Sequence, residues 1–513
     1  MLIAAFMVHV ALFLAPAISR REIRHDDGIT LLAVTGHQGE YQGIVHADAQ
    51  PHRAFVPARE WQKRLAMDSA QPPSMQKIGR DLAEYDIHPP LYFWMFSWVA
   101  RTFGATLAVG LGLNLVLNVL AMVGIFFLAN IVVRDKRSAA LATILFGISP
   151  GVLETSLELR QYALAGTLTP LFGIAVVRHL EGEKPLGLLP VLWLVIVCAL
   201  GVLIHYHFLL LIAAGCVLSM FGAARASFRR AATFCGLSVL GAGIGLAAFP
   251  HFFEIIKRQG SQAQRFVLVD IPIRIGGVFV AMGRFFVWSV PLIVLWMIAL
   301  FVIVALLVRA RRSLAARVIA APPAMRRMVA LLGLTFAAQA ALFVSFRSPS
   351  GAMRAKYLVF DYPFVACLVA WMLMRPNVHP RAKHAVIAVL AVSSLVLGID
   401  EIRRARQVED SLAIATSARR IVLDTVERGS LPVALWNVPP ETPVYAASLH
   451  DILARAADVR PMLEPGTLLV LDPQRADAES RARLVQLVPA QYRVDELRPA
   501  SFRGRIVLRI VSR

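Results

Sequence analysis

Along the first 400 residues, apolar runs of about 15–27 residues alternate with short Arg-rich joints, the pattern of membrane-crossing helices. The runs lie at 1–18, 107–133, 138–153, 160–178, 186–204, 208–223, 231–250, 285–308, 328–346, 357–374 and 385–399. They predict about eleven spans. A membrane β-barrel would instead show ~10-residue segments of alternating polarity, and the sequence has none. The first run lacks a basic N-terminal region and a small-residue cleavage site, so it reads as an uncleaved span rather than a signal peptide.

The joints after 133, 178, 223, 308 and 374 are rich in arginine and poor in acidic residues, with Arg134, Arg178, Arg229, Arg230, Arg311 and Arg375 among their cations. The positive-inside rule places these joints in the cytoplasm. Alternation then puts 19–106 and the tail on the outer face, as expected of a multi-pass protein of a bacterial inner or plasma membrane.

Two segments are too polar to span. Residues 19–106 form a long outer loop, whose stretch Pro89–Phe103 concentrates Tyr92, Phe93, Trp94, Phe96 and Trp98, as an interfacial helix does. The tail opens with an Arg-rich helical pattern at 403–428. Strand-like runs follow at Gly466–Asp472 and Arg505–Val511, with helix candidates at 448–457 and 475–487. The expected fold is therefore an all-α polytopic membrane protein, with interfacial helices in its first outer loop, plus a small C-terminal α/β soluble domain. The expected domains are 1–400 in the membrane and 401–513 as an extracytoplasmic soluble domain.

Composition agrees. The chain of 513 residues is 57% hydrophobic and only 17% charged, above the ~45–50% apolar content of soluble domains. The formal charge of +20 would suggest nucleic acid in a soluble chain. Here the arginines sit at helix ends and set topology, so no nucleic-acid partner is expected. Cys198, Cys216, Cys235 and Cys367 all lie in apolar runs without metal-ligand spacing, which gives neither a disulfide framework nor a zinc motif.

Five short constellations could carry chemistry. Asp26 and Asp27 follow the first span; adjacent carboxylates can share a proton, bind a divalent cation or act as a base. They also suit a plain helix N-terminus. Asp86 and His88 precede Pro89-Pro90, a rigid turn before a helix. Glu158, Arg160 and Tyr162 stand at the outer end of a span, where ionisable groups are functional or paired, Glu158 with Arg160 being the structural alternative. His205 and His207 occupy a very short outer turn and read as interfacial snorkelling side chains rather than metal ligands. Arg354, Lys356 and Tyr357 suit either a lipid phosphate or an ordinary interface anchor.

Taken in order, an acidic pair after the first span, Asp86-Ile-His88-Pro-Pro-Leu-Tyr92, Glu158-Leu-Arg160-Gln-Tyr162 and Arg354-Ala-Lys356-Tyr357 resemble one family. It is the C-type-fold membrane glycosyltransferases that use polyprenyl-phosphate sugars, in their protein mannosyltransferase-like and aminoarabinose transferase-like branch. The resemblance covers roughly 1–400 and is most specific over 85–104.

The resemblance implies that Asp26 and Asp27 engage the acceptor or act as base. Asp86, His88, Glu158, Arg160 and Tyr162 would line the donor and acceptor cavity, while Arg354, Lys356 and Tyr357 hold the lipid phosphate. The implied partners are a polyprenyl-phosphate sugar donor, a lipid, glycan or protein acceptor, and membrane lipids. The implied reaction is an inverting glycosyltransferase step at the outer face, serving the cell envelope. The chain departs from the family at Asp27, where Glu is usual, at Gly28, over 40–80 and in the tail. A divalent cation stays an open option, and a transporter, a lipid flippase and a non-catalytic glycan-binding member are the alternatives.

Overall fold

The computed structural model describes residues 2–20, 22–40, 55–68, 70–182, 187–223, 228–255, 257, 271–288, 321–345, 355–376, 378–424, 434–471, 476–497 and 506–513. The expected span 285–308 falls largely outside them, and Arg354 lies outside them as well.

Helices dominate. In chain order they are α1 (Leu2–Ser19), α2 (His25–Val34), α3 (Met75–Tyr85), α4 (Leu91–Phe103), α5 (Leu107–Val133), α6 (Lys136–Gly147), α7 (Pro150–Ser156), α8 (Tyr162–Glu181) and α9 (Leu188–Ile204). There follow α10 (Phe208–Ala223), α11 (Phe228–Ala248), α12 (Ile271–Gly283), α13 (Pro323–Ser345), α14 (Tyr362–Leu373), α15 (Pro380–Thr416), α16 (Leu449–Ala454) and α17 (Ala478–Leu487). Among the described residues six helices are long and apolar enough to cross a membrane: α1, α5, α8, α11, α13 and the Lys383–Gln407 part of α15. The chain reads as a multi-pass membrane protein, and α9, α10, α12 and α14 are shorter apolar helices.

The expected span 138–153 is broken. Helices α6 and α7 meet at 54°. Ser149 caps α7 through its hydroxyl and Pro150 stands at the first helical position, where its missing N–H costs nothing but the preceding turn cannot continue.

The chain divides into two compact units. The first comprises 1–15, 87–92 and 111–398. Within it α9 and α11 approach closely because Gly241 and Gly245 face α9. A Cβ at Gly241 would stand 2.5 Å from the Val195 carbonyl oxygen, and one at Gly245 2.6 Å from that of Ala199. Small residues four apart are the standard means of bringing membrane helices into backbone contact.

The second unit comprises 16–86, 93–110 and 399–513. Its sheet holds β1 (Val56–Pro57), β2 (Arg420–Asp424), β3 (Pro443–Ala447), β4 (Thr467–Leu471), β5 (Tyr492–Leu497) and β6 (Ile506–Ser512), in the order β1-β3-β2-β4-β6-β5. Strand β2 pairs in parallel with β3 and β4, while β1, β5 and β6 pair antiparallel. Val422, Leu469, Leu471 and Leu508 pack with Ile452 of α16 and Leu484 of α17. Asp424, at the end of β2, accepts the Leu449 N–H at 2.9 Å and so seats α16.

The helix expected over 403–428 ends at Thr416, and β2 takes up its last part. Ile421, Val422 and Leu423 are fully buried there, and burial between two parallel neighbours outweighs helical propensity.

Candidate functional site

In the first unit, the turn before α8 alternates inward and outward positions: Leu157 and Leu159 are buried while Glu158 is half-buried. Asn114 of α5 fixes this turn. Its amide donates to the carbonyls of Ser156 at 2.9 Å and Glu158 at 2.7 Å, and its oxygen accepts the Tyr92 hydroxyl at 2.9 Å. With the backbone so held, the Glu158 carboxylate meets the Lys356 ammonium at 3.0 Å. That ammonium also lies 5.3 Å from the centre of the Tyr162 ring, within cation–π range. The Glu158–Arg160 side-chain pairing weighed above gives way to Glu158–Lys356. Arg160 is nevertheless buried beside Gln161 and Tyr162.

Imidazoles complete the cluster. The Gln161 amide nitrogen stands 2.8 Å from His88 Nδ1, which therefore accepts. The His205 ring lies 6.1 Å from His88, 6.3 Å from Tyr162, 5.4 Å from Phe360 and 4.6 Å from His207. The His207 ring is 6.1 Å from Tyr357. Snorkelling is overturned for His205, which is buried. Burial drives its pKa well below the usual value, with His207 and His88 adding to the shift. Burial lowers His207 to about 4, against a hydrogen bond to the Tyr357 backbone. Both rings are neutral at pH 7. The cluster thus offers the Lys356 ammonium with its carboxylate counter-ion, the nearby Arg160 guanidinium and neutral ring groups, a donor set that can receive a phosphate.

The second unit holds the acidic pair. Asp27 is fully buried; its carboxylate accepts the Arg24 N–H at 2.8 Å and is ion-paired with Arg20. It therefore closes the N-terminus of α2. Asp26, one position earlier, is half-buried in the same first turn. Arg24 pairs with the buried Glu401, which also receives Arg404 at 2.9 Å. Asp86 ends α3 and is buried.

Asn114, Glu401 and Arg404 were not among the sequence candidates. Asn114 alone left a usable signal, a buried amide within a long apolar run. Among the described residues no three His, Cys, Asp or Glu side chains gather closely enough to hold a metal ion.

No family model and no curated protein matches the chain. The chain is similar in structure to the crystal structure of ArnT from Cupriavidus metallidurans bound to undecaprenyl phosphate, at 13% identity over 99% of this chain and 97% of that one, with a TM-score of 0.49. The apo state of the same ArnT is similar at 12% identity, covering 98% and 97%, with a TM-score of 0.47. The archaeal oligosaccharyltransferase AglB from Archaeoglobus fulgidus, in complex with an inhibitory peptide and a dolichol-phosphate, is similar at 13% identity, covering 94% and 70%, with a TM-score of 0.44.

Proposed function

We propose that this chain transfers a sugar from a polyprenyl-phosphate carrier to an acceptor hydroxyl at the outer face of the membrane. The observation that carries the reading is the buried Lys356 ammonium, held by Glu158 and Tyr162 at the first turn of an apolar helix. A cation desolvated at the end of a span is expensive unless it serves an anion or a counter-ion. The ordered motifs of the sequence point the same way.

The chemistry follows. The acceptor oxygen attacks the anomeric carbon opposite the carrier. The bond from that carbon to the phosphate oxygen breaks, and its electron pair leaves with the polyprenyl phosphate. The anomeric centre inverts. Lys356, with Arg354, neutralises the charge that grows on the departing phosphate. Of the acidic pair, Asp26 takes the acceptor proton in this reading, being half-buried where Asp27 is fully buried and ion-paired with Arg20. Tyr357, His88 and Arg160, in the same unit as Lys356, contact the carrier in this reading.

A reconstituted transfer assay with polyprenyl-phosphate sugars tests it. Lys356→Met should lower the rate about 10²–10³-fold, and Asp26→Asn about 10²–10⁴-fold. Full activity of Lys356→Met would sink the proposal. The sugar and acceptor would be identified from the glycan that disappears, by mass spectrometry, when the gene is deleted.

A further inference from the structure

A cavity of about 940 Å³ opens between α5, α8, α9 and α11, at the Glu181 end of α8. Helix α8 has 20 residues, about 30 Å at 1.5 Å per residue. The cavity's lining on α8 runs from Leu171 to Gly182, so Arg178 lies about 24 Å along the helix from Tyr162 and the cavity is separate from the Lys356 cluster.

Its walls are apolar and its mouth is cationic. Leu189, Trp193, Leu194 and Phe234 line it, together with Arg178 and Arg230. Leu189 is 79% exposed, which leaves the apolar wall open on one side. Trp193 is anchored to the Leu171 carbonyl at 3.2 Å. The Arg230 guanidinium is fixed by the His179 carbonyl, and it fits because residue 182 is glycine, where a Cβ would stand 2.9 Å from it. His179 stacks on Phe234 at 4.4 Å and shares a hydrogen bond of 2.8 Å with Ser219. The neighbouring carboxylate, Glu181, is taken by Arg134 at 3.6 Å. Arg178 is exposed and has no carboxylate partner among the described residues.

We infer that this cavity binds an anionic glycerophospholipid of the leaflet opposite the Lys356 cluster. The phosphodiester sits at Arg178 and Arg230, and an acyl chain lies along Trp193 and Phe234. Guanidinium groups match phosphate oxygens in paired geometry, and basic pockets between membrane helices select acidic headgroups. The volume lies near the top of the ~300–1,000 Å³ range of ligand sites, enough for a headgroup, glycerol and part of a chain. The cavity asks for negative charge and hydrocarbon together, and a lipid supplies both.

The full chain, purified and delipidated in detergent, would be titrated with phosphatidylglycerol or phosphatidylcholine and read by native mass spectrometry. Phosphatidylglycerol should be retained about fivefold or more over phosphatidylcholine, and Arg178→Gln should cut that preference about fivefold. Arg178 is exposed, so its substitution leaves the fold intact, whereas Arg230→Gln also removes the tie to His179. Ala175→Trp, which fills the cavity, should abolish retention of both lipids at this site. Equal retention of the two lipids, or indifference to Arg178→Gln, would overturn the inference. So would displacement of phosphatidylglycerol by an equal concentration of glycerol 3-phosphate, which would assign the cations to a free phosphate.

Discussion

Lys356 and Glu158 stand 198 positions apart in the chain and 3.0 Å apart in space. Their side chains are only 8% and 18% exposed. Removing one partner of such a pair leaves an uncompensated charge and costs about 3–5 kcal/mol, while removing both costs much less. Glu158→Gln and Lys356→Met should therefore each lower the unfolding temperature in detergent, and the double variant should recover much of the loss. Additive losses would reject the coupling.

Asn114 and Asn118 face the same apolar surroundings with different fates. Asn114 makes three hydrogen bonds. The amide nitrogen of Asn118 is buried with no partner among the described residues. Asn114→Leu strands two carbonyls and a hydroxyl, at about 1–3 kcal/mol for each buried group left unsatisfied. Asn118→Leu should be neutral or stabilising. Thermal unfolding of the two variants side by side decides it, and equal losses would contradict the hydrogen-bond account.

The buried imidazoles give a pH dependence with a definite sign. His205 and His207 have folded pKa values below the ordinary ~6.5 of a histidine. The unfolded chain thus binds protons first as pH falls, so the stability these rings contribute is complete above pH ~6.5 and declines below it. For His207 the decline runs down to about 4. Unfolding temperatures measured from pH 8 to 4.5 should fall through that window, and His207→Phe should flatten the fall. An unchanged slope would rule out the ring as its source.

Steric contrast along α11 gives a cleaner test of the fold. Gly241 and Gly245 meet the backbone of α9, whereas a Cβ at Gly243 would meet nothing within 4 Å. Gly245→Val should cost about 1–3 kcal/mol by overpacking and reduce the yield of monodisperse protein. Gly243→Ala should leave it unchanged. Equal yields of the two variants would mean that the α9–α11 contact is looser than the structure has it.

Much of this was legible along the chain because membrane helices announce themselves locally. Runs such as 107–133 coincide with α5, and the strand-like runs near 466 and 505 coincide with β4 and β6. The break between α6 and α7 had a readable mark in Ser149-Pro150, yet the apolar content on either side masked it. Strand β2 was hidden because a short apolar run buried on both faces has no period of its own. The candidate chemistry divides similarly. Glu158, Tyr162 and Lys356 were named from their neighbours in sequence, and the structure brings them together. The bond from Asn114 to the turn, the Arg24–Glu401 pair and the burial of His205 are long-range outcomes that no local window contains.

One pairing sets a clock. Val56, in the polar segment that follows α1, forms its bridge with Val444, so roughly 390 residues must be synthesised before that strand meets its partner. At translation rates of about 5–20 residues per second the delay is about 20–80 s. Through that interval the nascent loop carries an unsatisfied strand edge outside the membrane, the feature that invites wrong pairing between chains. Its brevity, two residues with Pro57 as the second, keeps that waiting edge a poor template for a neighbouring chain.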